Sequence, residues 1–107
     1  MKTVFITGDS WITDAQVIMK ELEYLFSVKA LPEQFKVITT GAEGVEQTIE
    51  PVMLEAGFDV THYNEPPEDI DIVVVLLSEK EERAKAIMMK QWQSRKAVYP
   101  FIKVKPQ

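Results

Sequence analysis

The chain contains no cysteine, which removes disulfides, thiolate nucleophiles and cysteine-held metal centres, and fits a reducing compartment; a cytoplasmic location is expected. It has one histidine, His62, and four glycines. A single imidazole leaves no zinc cluster and no Ser-His-Asp order to assemble, so neither a metal nor a catalytic residue is assigned. Neither G-x-G-x-x-G nor G-x-x-x-x-G-K-[ST] occurs, which excludes an ordinary dinucleotide fingerprint and a P-loop. Long apolar runs are missing too. The longest, Ile72 to Leu77, falls far short of the roughly 20 residues that cross a bilayer, and Val4 to Ile6 is too short for a signal-peptide core, so no membrane partner is expected.

Basic charge is scarce over most of the chain. Residues 1–78 carry 4 basic and 14 acidic side chains, whereas residues 79–107 carry 8 and 3. An acidic body repels polyanions over most approaches, which argues against a nucleic-acid partner. The basic end, with Lys90, Arg95 and Lys96, suits an acidic partner, a second copy of the chain as in a homodimer, or a polyanion. Trp92, Arg95, Lys96, Tyr99 and Phe101 combine basic and aromatic residues as a nucleic-acid surface does, a reading that ranks behind packing of a helix end or a subunit contact. What is present is ordinary for a folded protein: 107 residues, 46% hydrophobic and 27% charged, enough for one domain spanning 1–107.

Apolar periodicity divides the chain. Thr3 to Thr7 is β-rich without clean alternation, as in a strand covered on both faces, and stops at Gly8. Thr13 and Gln16 are spaced as a capping box, and Ala15, Ile18, Met19, Leu22, Leu25 and Phe26 then mark one face of a helix of about 13 residues. A second strand from Phe35 to Thr40 ends at Gly41. The next helix places Val45, Ile49, Val52, Met53 and Ala56 inward and closes at Gly57, with Pro51 predicting a kink or restart near Glu50. Phe58 to Tyr63 reads as a short strand near an edge. Ile70 to Leu77 reads as a central parallel strand, Ser78 and Glu81 as a cap opening a third helix, and Ala97 to Val104 as a last strand that Pro100 restricts to an edge or splits.

Strands separated by helices imply right-handed crossovers, hence an α/β three-layer Rossmann-like sandwich on a mostly parallel sheet of four or five strands. In such sheets ligands gather beyond the C-terminal strand ends, where Gly8, Gly41 and Ser78 all fall. Glycine lets backbone amides approach a ligand, although a strand-to-helix turn also needs glycine for its own sake.

Two stretches, ITGDSWITD (Ile6 to Asp14) and TTGAEGVEQTIEPVMLEAG (Thr39 to Gly57), resemble the small Rossmann-like domains of the SLOG superfamily. This group is related to the cytokinin-activating LOG proteins, to lysine-decarboxylase-like proteins and to DprA, and the likeness is nearest to its short bacterial and phage members. The resemblance implies a nucleotide-type ligand. It places Gly8, Asp9 or Ser10, Trp11 and Asp14 in a first loop motif and Gly41, Ala42 and Gly44 in a second. Thr40 stands where a first glycine is usual, Glu43 where a basic residue is common, and Glu46 where the pattern has aspartate. After the fourth strand this chain has LLSEKEERA in place of a Pro-Gly-Gly-x-Gly-Thr segment, which argues against phosphoribohydrolase chemistry.

The expected ligand residues are therefore Gly8, Asp9, Ser10, Trp11, Asp14, Gly41, Ala42, Glu43, Gly44, Glu46 and Ser78, with no cofactor. Trp11 offers an indole to a base or sugar, or packs on the sheet end. Asp14 serves the helix dipole first. Glu43 and Glu46 oppose phosphate, so the ligand is neutral, cationic or bridged by a divalent ion, or else the site is dead. The sequence thus points to a nucleotide or nucleotide-derivative binding module with degenerate phosphate-binding loops. Its alternatives are a non-catalytic interaction or oligomerisation protein and a weak N-glycosidic hydrolase. His62 has no partner visible in the sequence.

Overall fold

The computed structural model describes residues 2–65, 67, 69–77, 89 and 97–103. In these, β1 (Thr3–Gly8), α1 (Ala15–Ser27), β2 (Lys36–Thr39), α2 (Val45–Glu55), β3 (Asp59–His62), β4 (Ile72–Leu77) and β5 (Ala97–Ile102) follow in order. All five strands are parallel in one sheet of order β3-β2-β1-β4-β5. The α/β Rossmann-like sandwich read from the sequence is the fold observed. The third helix expected from Ser78 lies outside the described residues.

Strand alternation sends residues to two cores. Val4, Ile6, Val37, Val74 and Leu76 join Ile18, Leu22 and Leu25 of α1 and Val45, Ile49 and Met53 of α2. Phe5, Ile38, Val73, Val75 and Leu77 form the second face. Every residue of β4 is buried, which is why its sequence reads as an unbroken apolar run. Each fully buried aliphatic side chain contributes about 1.5–3 kcal/mol relative to exposure.

The connection from β3 to β4 crosses the sheet without a described helix. Ile70 anchors it by packing with Phe5 and Ile38 on the face opposite α1 and α2, as a right-handed crossover in the reversed direction requires. At the N-terminal edge Asp71 clamps β4 to β1. Its carboxylate accepts from the Thr3 amide at 2.8 Å and the Thr3 hydroxyl at 3.2 Å. The Thr3 backbone hydrogen bond holds the Asp71 carboxyl below its ordinary value.

Three local expectations change. Asp14, not Thr13, caps α1: its Oδ1 accepts from the Gln16 amide at 2.9 Å, because the helix starts one residue later than the capping-box spacing implied. Helix α2 does not restart at Pro51 but runs through it, with the proline ring on the exposed side. Ala56 is exposed at the C-cap, while Gly57 closes α2 at φ +91° and the Phe58 amide reaches the Met53 carbonyl at 3.0 Å, a Schellman motif. The end of α1 uses the same bonds with Lys29, not glycine, in the left-handed position at φ 60°.

Candidate functional site

The order β3-β2-β1-β4-β5 puts the reversal of winding between β1 and β4, so the loop leaving β1 at Gly8 opens at the topological switch point. Register sets Gly8 beside Leu76, and the Asp9 amide donates to the Leu76 carbonyl at 2.9 Å. Ile12, 3% exposed, plugs this loop into the α1 core, an anchor that loop composition concealed. Trp11 packs partly against the same core, and its indole N–H donates to Asp9 Oδ2 at 2.9 Å. One flank of the ring is thereby fixed while the side chain stays half-buried.

The loop after β2 interlocks with the first. A Cβ at Gly44 would lie 2.1 Å from the Asp9 carbonyl oxygen, and one at Gly8 would lie 2.1 Å from the Leu76 carbonyl oxygen. Close backbone packing therefore requires both glycines. Gly41 differs: its φ of +73° is the constraint, and a Cβ would meet only the His62 ring, at 3.3 Å. The Gly41 amide donates to Thr39 Oγ1 at 3.1 Å and its carbonyl accepts from Gln47 Nε2 at 3.1 Å, so this turn is held from both sides.

Glu46, in the first turn of α2, is 1% exposed. Its Oε2 accepts from the Thr7 hydroxyl at 2.9 Å; its Oε1 accepts from the Thr39 hydroxyl at 3.3 Å, the Thr40 hydroxyl at 2.7 Å and the Thr40 amide at 2.5 Å. One carboxylate thus ties α2 to the C-terminal ends of β1 and β2. Thr40 and Glu46 are bonded to each other through both the hydroxyl and the amide of Thr40. Nothing in the sequence linked the two, and the threonines at 7 and 39 gave no signal at all.

Of the expected ligand residues, Gly8, Asp9, Gly44 and Glu46 are buried, whereas Ser10, Trp11, Asp14, Gly41, Ala42 and Glu43 reach the surface along the C-terminal edge. Ser78 lies outside the described residues. Residues 8–14 and 40–46 contain four carboxylates and no lysine or arginine. Asp14 and Glu46 occupy the first turn or cap of α1 and α2, so the partial positive charge of both helix N-termini is already answered by the protein. A carboxylate about 8 Å from a phosphate charge opposes it by roughly 0.5–2 kcal/mol, depending on solvation.

His62 is the residue whose setting the sequence hid. It ends β3 beside the Gly41 turn, and its Nε2 pairs with Glu50 of α2, twelve residues away in sequence. Among the described residues no group of three or more histidine, aspartate or glutamate side chains gathers as a metal site, and no helix is long and apolar enough to cross a membrane.

The fold and the position of these loops define the chain as a Rossmann-like α/β domain with an acidic C-terminal edge. In comparison with known proteins, no family model, no curated protein and no solved structure matches it.

Proposed function

We propose that this domain binds a nucleotide or nucleotide derivative across the C-terminal edge of its sheet, and recognises the base and sugar more than the phosphate. The observation that carries the reading is the Gly8–Thr13 loop at the switch point between β1 and β4, where open parallel sheets receive ligands. The Trp11 indole, fixed on one side by Asp9, supplies a stacking surface beside it. The likeness of Ile6 to Asp14 and Thr39 to Gly57 to SLOG domains supports a nucleotide-type ligand. The carboxylates around the loops favour neutral or weakly charged ligands over polyphosphates, which makes the domain a binder whose phosphate loops are degenerate.

A thermal-shift panel tests this directly. In a panel of nucleosides, nucleoside mono-, di- and triphosphates and ADP-ribose at millimolar concentration, with and without magnesium, a rise in Tm is expected, with nucleosides at least as effective as their di- and triphosphates. No rise with any compound contradicts the reading. A rise confined to polyphosphates in magnesium contradicts the preference for base and sugar.

A further inference from the structure

We propose that His62, oriented by Glu50, is the specificity-determining residue of this site and accepts a hydrogen bond from a hydroxyl on the sugar of a bound nucleoside. The proposal rests on the nucleoside-binding reading and extends it to the far side of the second loop.

A carboxylate only accepts, so the Glu50–His62 pair places a proton on Nε2. In the neutral ring Nδ1 is then an acceptor, and among the described residues it has no partner. The ring is more than half exposed, so a ligand can reach it, and Glu50 holds it at Nε2. The Gly41 turn lies near its other flank, where an added Cβ would come within 3.3 Å of Cε1 and 3.6 Å of Nδ1. The Gly41 turn is itself pinned by Thr39 and Gln47. Imidazole, turn and carboxylate therefore form a supported acceptor on rigid elements, the arrangement that fixes a polar ligand group.

The placement suits a nucleoside. Residues 41 to 44 run from the neighbourhood of His62, which a Cβ at Gly41 would meet, to the Asp9–Ser10 backbone, against which Gly44 packs. Strands β1 and β3 are separated by β2, so their ends stand about 10 Å apart, roughly the length of a nucleoside. A base beside Trp11 would leave its sugar over this segment, with a hydroxyl directed at Nδ1. A neutral hydroxyl matches this acceptor, and residues 40–46 hold no lysine or arginine to pair with a phosphate.

Because His62 is the only histidine, its ring nitrogens can be read without ambiguity by long-range proton–nitrogen correlation NMR. At pH 8 the free protein should show Nε2 protonated and Nδ1 bare, and Glu50→Gln should relax that preference. Adenosine, guanosine, cytidine and uridine would then be titrated in turn. Binding should move the Nδ1 resonance; 2′,3′-dideoxy analogues and the His62→Ala variant should bind about tenfold more weakly, the scale of one hydrogen bond. A free protein protonated on Nδ1 overturns the proposal alone. So does a nucleoside that shifts the Gly8 to Trp11 amides while leaving Nδ1 unmoved, or a dideoxy analogue that binds as tightly as its parent. If no nucleoside perturbs any residue, the nucleoside-binding reading fails and this proposal falls with it.

Discussion

The two edges of the sheet use the same chemistry in opposite surroundings. At the C-terminal edge, Glu46 is buried and collects three threonine hydroxyls and an amide from β1, β2 and the loop beyond. At the N-terminal edge, Asp71 is exposed and collects an amide and a hydroxyl from Thr3 alone. Each carboxylate joins neighbouring elements, yet only the buried one leaves stranded donors when removed. The difference teaches where the molecule is rigid. The edge proposed to hold the ligand is built on an internally satisfied polar network, while the opposite edge is fastened at its surface.

The sharpest way to break the comparison is to force the backbones at the C-terminal edge apart. Gly8→Ala and Gly44→Ala should each cost about 3–5 kcal/mol, because a methyl group would overlap a carbonyl oxygen of a neighbouring backbone. Urea unfolding measures this directly, and a loss below 1 kcal/mol would show that the loops are not interlocked. Glu46→Ala should follow at about 3 kcal/mol, since it strands several buried donors at once. Gly41→Ala should cost less, about 1–2 kcal/mol, because only its backbone angle resists and the His62 side chain can move. At the other edge, Lys29→Gly should stabilise the protein by about 1 kcal/mol, relieving a left-handed residue at the end of α1.

The smallest effect concerns acid. The folded Asp71 carboxyl lies below its ordinary value of 3.8, so its contribution is complete above that value and is lost as pH falls through the lowered one. The stability difference between the protein and Asp71→Asn should be constant near neutrality and shrink in acid. A difference that grows on acidification would reverse the sign of this account.

Much of the fold was legible because the elements obey strong local rules. The three- and four-residue spacing in α1 and the all-apolar β4 each admit one reading, and of the two outcomes Pro100 allowed, an edge strand or a split one, the edge strand is observed. Local signals failed where two readings differ by one residue, as with Thr13 and Asp14 at the α1 cap, or where surrounding structure overrides propensity, as at Pro51. The candidate site was legible only by position. Glycines at strand ends located the loops, but whether a glycine serves a ligand or a neighbouring backbone depends on contacts far apart in sequence, such as Gly44 with Asp9. The Glu46–threonine network and the Glu50–His62 pair likewise join residues from different elements, and no periodicity encodes them.

The central claim, that the C-terminal edge receives a nucleoside, is tested most directly by backbone amide shifts during a nucleoside titration. Shifts clustered at Ser10, Trp11 and residues 41–43, and lost with Trp11→Ala in a folded protein, are the result expected. Shifts centred on the Asp71 edge, or a saturating titration that leaves the first loop unmoved, would contradict it.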